Sequence, residues 1–330
     1  MALSDNKEPR ITLRGIEMFI AVVEEASMSG GASRLGASVS AVSQQIANLE
    51  AALGAILIDR AARPFALSPA GHLFHARALK VLDELAKARM ELAEGALANF
   101  RRLRLAVVDE VDQMILPHLL ADLARAYPEC TFSVRSGLSH ENLAALESRS
   151  VDLVVSAEAE VDTAWMERHP VLRDPFILVA AAGVYYPDRG TDALGALPMI
   201  SYAPNQVLGR LIDAHLRRLR FAPKRSFEIG TNPGVLATTA KMGGWAVTTA
   251  LGLAATQAPE GLEAHPLPFA GFARGLSVFA REGVLGALPE QTAATLRGLF
   301  TPVVSSTLEK MPWLEGQFRV LDRVQEPDGR

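Results

Sequence analysis

Ser38, Ser40, Ser43, Gln44 and Asn48 set hydroxyl and carboxamide groups along a stretch whose apolar residues, Val42, Ile46, Leu49 and Leu53, recur at helical spacing. On a helix the apolar set faces a core. The polar set, with Ala47 among it and Val39 at the first turn, then faces outward. Hydroxyls and carboxamides so arranged can hydrogen-bond base edges and phosphate oxygens of a nucleic acid. Any small helical domain also carries a polar outer face, so residue type alone leaves both readings open. Ser33, just upstream, is grouped with this set.

Other reactive side chains give less. Cys130 is the only cysteine, so the chain forms no internal disulfide and has no resolving thiol for a redox switch. It is expected to be a small buried or half-buried side chain. His72 and His75 stand at i, i+3 with no third ligand nearby, and are expected to be surface or interface histidines. The sequence holds no phosphate loop, H-E-x-x-H, C-x-x-C pair or G-x-S-x-G elbow, and its seven histidines are scattered. No catalytic residue, metal or cofactor is expected.

Three helices must position the polar set. Leu13, Ile16, Phe19, Ile20 and Val23 recur at helical spacing and predict the first. Ser29 to Leu35 fits a short second helix, stopped at Gly36, and Ser38 can cap the third. Helix, tight turn, helix is the geometry that offers the second helix of the pair to a major groove. From Pro69 to about Phe100 one helical pattern runs unbroken, and from Leu103 to about Thr301 β-like runs alternate with helical segments. The runs are Leu103–Val108, Thr131–Ser136, Leu153–Ser156, Phe176–Ala181, Met199–Ser201, Ser226–Ile229, Ala246–Thr249 and Leu276–Ala280. Alternation of this kind predicts an α/β sheet domain with crossovers. Pro302 to Arg330 reads as a tail, with Gln325 to Arg330 expected to be disordered.

The composition is that of a globular protein, 49% apolar and 21% charged, and the net charge of −4 carries no nucleic-acid signature. No apolar run reaches the roughly 18 residues that a membrane span needs. Met1 to Arg10 is polar with no apolar signal region, so a cytoplasmic protein is expected.

Residue order carries more than composition. The segment Leu35-Gly-Ala-Ser-Val-Ser-Ala-Val-Ser-Gln-Gln-Ile-Ala-Asn-Leu-Glu-Ala-Ala-Leu-Gly54 closely resembles the helix-turn-helix of LysR-type transcriptional regulators. Leu57-Ile-Asp-Arg60 and Leu67-Ser-Pro-Ala-Gly71 follow and look like that family's wing and the start of its linker helix. The resemblance implies that Ser38 to Glu50 is the recognition helix and that Arg63 sits in the wing beside DNA. It also implies regulation of transcription by a DNA-bound homodimer or homotetramer. Two features depart from the pattern. Val39 stands where the family often has Gln, and cannot make a bidentate contact to adenine. Residues 1–72 hold six basic and seven acidic side chains, with no Lys or Arg on the recognition helix. Phosphate neutralisation supplies most non-specific affinity, so the isolated domain is expected to bind weakly with a shallow salt dependence.

Along the linker, Ala78, Leu82, Leu85, Leu92 and Ala96 alternate spacings of four and three once Arg89 is admitted as an interruption. That is an a/d seam suited to pairing with a second copy. Further on, Leu103-Arg104-Leu105, Ile115-Leu116-Pro117, Tyr127-Pro128, Val151-Asp152-Leu153 and Gly244-Trp-Ala-Val247 are similar to the family's effector domain, which resembles two-lobed periplasmic binding proteins. The implied organisation is a winged helix-turn-helix over 1–68, a linker helix over 69–100, an effector domain over 101–305 and a tail over 306–330. Lobe I spans about 103–172 and 268–301, and lobe II about 173–267.

The implied cleft positions are Val108, Asp109 and Glu110, then Leu138 and Ser139, from one lobe. Ser201, Tyr202, Thr231, Asn232, Thr248 and Thr249 come from the other. The family usually has Ser or Thr in the first group, suited to small carboxylates. Two acids there disfavour an anionic effector if either points inward, and otherwise cap a helix towards solvent. An unrecognised enzyme and a solute-binding protein are the alternatives. The N-terminal hundred residues argue against the second.

Overall fold

The computed structural model describes residues 10–59, 62, 65–92, 101–157, 165–256 and 258–321. They fall into two compact units, divided after residue 94.

The first unit opens with α1 (Leu13–Glu24), α2 (Met28–Arg34) and α3 (Val39–Leu53). Each begins at a hydroxyl cap: Thr12 accepts from the Gly15 N–H at 3.0 Å, Ser27 from Gly30 at 2.8 Å and Ser38 from Ala41 at 3.2 Å. Gly36, at φ +61°, makes the turn between α2 and α3. Phe19, Val22, Val42, Ile46 and Leu49 close the core. The wing is a two-stranded antiparallel ribbon, β1 (Ile58–Asp59) with β2 (Ala66–Leu67). It is tied to α3 by Glu50, whose carboxylate accepts the N–H groups of Leu57 and Ile58 at 2.8 and 3.2 Å.

The long helix α4 (Pro69–Leu92) follows. Part of the expected seam is already spent on the chain itself: Ala78 is buried in the N-terminal core, and Leu82 packs against it with Phe74. Leu73 and Val81 instead stand exposed, at 66% and 46%. The Leu92 and Arg89 side chains and Ala96 lie outside the described residues.

The second unit runs β3 (Arg102–Val107), α5 (Asp109–Met114), α6 (Leu116–Ala126), β4 (Thr131–Ser136), α7 (Ser139–Glu147), β5 (Leu153–Ala157) and β6 (Met166–Ala181). It continues with α8 (Gly190–Gly195), β7 (Met199–Tyr202), α9 (Val207–Arg218), β8 (Arg225–Ile229), α10 (Asn232–Met242), β9 (Trp245–Thr249) and α11 (Ala250–Ala255). β10 (Leu262–His265), β11 (Ala273–Arg281), α12 (Leu288–Lys310) and β12 (Arg319–Val320) complete it. The strand order is β4-β3-β5-β11-β6-β9-β7-β8, with β10 and β12 also on β6. The 16-residue β6 belongs to two lobes: its first half pairs with β11 and β12, and its second half with β9 and β10. The chain therefore crosses between lobes within β6 and again between β10 and β11.

Two expectations are corrected. Only the apolar end of β6 is legible as a strand, because Glu167, Arg168 and His169 interrupt its first half. The tail expected from residue 306 is not one: α12 runs to Lys310, and Leu314, Phe318 and Leu321 are buried. Pro302 reads as a helix stop, yet it lies inside α12 with its side chain exposed. Gln325 to Arg330 lie outside the described residues.

Candidate functional site

Two surfaces collect most of the side chains singled out in the sequence, one in each unit. On α3, Ser38, Val39, Ser40, Gln44 and Asn48 are exposed and Ser43 is half-buried; Ser33, on α2, is exposed too. Neighbours hold these groups in place: the Ser38 and Ser40 hydroxyls lie 3.0 Å apart, and Gln44 Nε2 donates to Asn48 Oδ1 at 3.0 Å. Val39, 48% exposed, presents bare methyl groups at the start of the helix. Arg34, the basic residue nearest this face in sequence, is ion-paired with Glu24 and Glu25. The face is thus hydroxyl- and amide-rich and almost uncharged. Arg63 lies outside the described residues.

In the second unit, the starts of α5, α7, α9 and α10 converge on a small cleft of about 50 Å³. Val108, Asp109, Glu110, Leu138, Ser139, Tyr202, Thr231 and Asn232 line it, as do Gly137, Gln206, Gly230 and Arg274. Three expected residues do not line it. Ser201 is buried in β7. Thr248 lies behind the wall, 2.8 Å from the Tyr202 hydroxyl and donating to Asn232 Oδ1 at 3.0 Å. Thr249 caps α11, accepting the Gly252 N–H at 3.0 Å.

The wall is rigidly built. Tyr202 also donates to Asn232 Oδ1, and Asn232 Nδ2 donates to the Gly252 carbonyl and the Thr256 hydroxyl at 2.6 and 2.9 Å. Burial raises the Tyr202 pKa, so the phenol stays protonated and remains a donor. Opposite, Asn142 Nδ2 donates to the carbonyls of Val107 and Gly137 at 3.0 and 3.1 Å, joining the ends of β3 and β4. A Cβ on Gly137 would lie 2.8 Å from Asn142 Oδ1, so only glycine permits this approach.

The floor is a buried charge cluster at the lobe crossing. Arg274 and Asp174 are cross-strand partners on β11 and β6. Arg274 donates through Nε to Asp174 at 2.9 Å and through a terminal nitrogen to Glu110 at 2.7 Å. The Leu251 N–H donates to the other Asp174 oxygen at 2.9 Å. Burial pushes Glu110 upward, but the charge and hydrogen bond of Arg274 outweigh it and hold the carboxyl below its usual range. At Asp174 burial outweighs the same guanidinium and raises the pKa. Asp109 is exposed at the rim, and is raised by partial burial and by the neighbouring Glu110 and Asp112 carboxylates. The alternative in which both acids simply cap α5 towards solvent fails for Glu110, which is buried against Arg274.

Arg274, Asp174 and Gln206 escaped the sequence reading. The available signal was a lone acid and a lone base, each entering an apolar strand run, which implies a buried partner. Nothing in one sequence says that these two, a hundred residues apart, are paired.

A two-lobed ligand-binding domain following a winged helix-turn-helix defines a class of DNA-reading, small-molecule-responsive proteins. Residues 13–72 match the bacterial regulatory helix-turn-helix of the lysR family, and residues 98–298 match the LysR substrate binding domain. The chain belongs to the LysR-type transcriptional regulator family. It is 33% identical over 197 residues to a probable hydrogen peroxide-inducible genes activator of Mycobacterium avium, covering 57% of this chain and 61% of that one. It is 27% identical over 214 residues to the DNA-binding transcriptional dual regulator OxyR of Escherichia coli K12, covering 63% and 66%. The chain thus spans less than two thirds of the length of each of these relatives. A full-length OxyR variant from Pseudomonas aeruginosa shares the fold, with a TM-score of 0.66 at 19% identity over 87% of this chain and 95% of that one.

Proposed function

We propose that this chain is a cytoplasmic, non-enzymatic transcriptional regulator that binds specific double-stranded DNA and answers to a small molecule in the cleft. The observation that carries the DNA half is the exposed, amide- and hydroxyl-bearing face of α3 between a tight turn and a wing. Ser33, Ser38, Val39, Ser40, Ser43 and Gln44 meet the DNA, with Arg63 in the wing. No helix among the described residues is long and apolar enough to cross a membrane.

The effector is a neutral or cationic polar molecule. Four helix starts bring about half a positive charge each at most, less for the six-residue α5. Asp109 and Glu110 line the cleft, and the one guanidinium that lines it, Arg274, is already committed to Glu110 and the buried Asp174, so the cleft is no ready trap for anions. Its volume suits a group of a few heavy atoms unless the lobes part. Val108, Asp109, Glu110, Leu138, Ser139, Tyr202, Thr231 and Asn232 contact the effector, while Thr248 braces Tyr202 and Asn232 from behind. The relatives' names mention hydrogen peroxide, but a disulfide switch within one chain does not fit this sequence. Its single Cys130 is held as a thiol, raised by burial and by Asp152.

Titration calorimetry of the full chain with small amines, amides and carboxylates tests the cleft. Amine or amide binding weakened by Asp109→Asn is expected. Tight carboxylate binding indifferent to that substitution would refute the charge reading.

A further inference from the structure

The two short helices at the cleft have another end. α5 starts at the cleft with Asp109 and finishes at Met114; α11 starts beside Arg274 at its Thr249 cap and finishes with Leu253, Ala254 and Ala255. Those far ends, with Ala264 of β10 and the second half of α12, line another pocket, half open to solvent, of about 700 Å³. That lies within the size range of pockets that hold drug-sized ligands. Most of its wall is apolar, including Met114, Leu253, Ala254, Pro302 and Met311.

The charges at this cavity differ from those at the cleft. Among the described residues no carboxylate lines it, and its one charged lining residue is Lys310, exposed and without a partner among them. The last carbonyls of α12 offset at most about half of that positive charge. Thr256 supplies a hydroxyl to the same wall, and it accepts a hydrogen bond from the cleft residue Asn232 at 2.9 Å.

We propose that this cavity is a second small-molecule site, which takes a compact apolar ligand carrying one acidic group. The apolar body lies against Met114, Leu253 and Pro302, and the acid meets Lys310. This site does not depend on what the cleft binds, although the Asn232–Thr256 hydrogen bond joins their walls.

Calorimetry of the full chain with octanoate, and with octan-1-ol as the uncharged probe, tests it. Saturable octanoate binding at one per chain is expected. Lys310→Gln should weaken octanoate about tenfold, the loss of one charge-assisted hydrogen bond, and leave octan-1-ol unchanged. Ala254→Phe, which sets a ring in the apolar part of the pocket where the octyl chain would lie, should weaken both. If that variant misfolds by circular dichroism, Ser306→Trp at the exposed rim blocks the same space. Asp109→Asn should leave octanoate binding unaltered. No saturable octanoate binding, binding unaltered by both Lys310→Gln and the Phe or Trp variant, or binding lost on Asp109→Asn would each overturn the proposal.

Discussion

Arg274 holds two carboxylates at the crossing of the lobes, with 4% of its own side chain exposed. A buried ion cluster adds little over an apolar one, but removing one partner leaves charge uncompensated. Arg274→Met is therefore expected to cost roughly 3–5 kcal/mol at neutral pH. The loss should shrink in acid, where the stranded carboxylates take up protons. Urea unfolding of both proteins across pH measures this. His169 tests electrostatics of the opposite sign. Its ring bonds Glu167 at 2.9 Å and Glu290 at 2.8 Å, and these bonds outweigh burial to raise its pKa. A raised folded-state value means that the stabilisation is complete below the ordinary histidine pKa of about 6.5 and is lost as pH rises through the folded value. His169→Gln should lower Tm most below that point, with the gap closing as pH rises. A gap independent of pH contradicts the assignment.

At the scale of elements, what could be read from sequence divides by range. The face of α3 was legible because its apolar period, its cap and its turn glycine are all local. The cleft was partly legible: Asp109, Ser139, Thr231 and Asn232 follow or begin recognisable elements. Asp174 and Arg274 were not, since their pairing exists only once β6 and β11 are aligned. The first half of β6 was hidden because His169 and Glu167 satisfy each other and α12 rather than an apolar core. Pro302 concealed the length of α12. Another contact that no local pattern announces fixes α4 against the wing: a Cβ on Gly71 would lie 2.0 Å from the Leu57 carbonyl oxygen. Gly71→Ala must push α4 away and should cost at least about 2 kcal/mol by overpacking. Hydrogen exchange in α1 and α3 should accelerate. All three tryptophans, Trp165, Trp245 and Trp313, lie in the other unit, so its fluorescence-monitored unfolding should stay unchanged.

At the scale of the whole molecule, charge and function pull apart. A net charge of −4 and a recognition helix without Lys or Arg leave little counterion release to drive binding. In the proposed reading, specificity comes from hydroxyl, amide and methyl contacts, multiplied if several copies assemble on one DNA. Leu73 and Val81, exposed and eight residues apart on α4, offer a second copy an apolar stripe that the chain's own core leaves open. The measurement that bears most directly on this is fluorescence anisotropy of the full chain with DNA from upstream of its own gene and with a scrambled duplex, across a salt series. Preference for the upstream DNA by about a thousandfold or more is expected, with a shallow salt slope and a large loss on Gln44→Ala. Equal affinity for both duplexes, or a preference untouched by Gln44→Ala and Ser43→Ala together, would contradict the account of α3 as a reader of sequence.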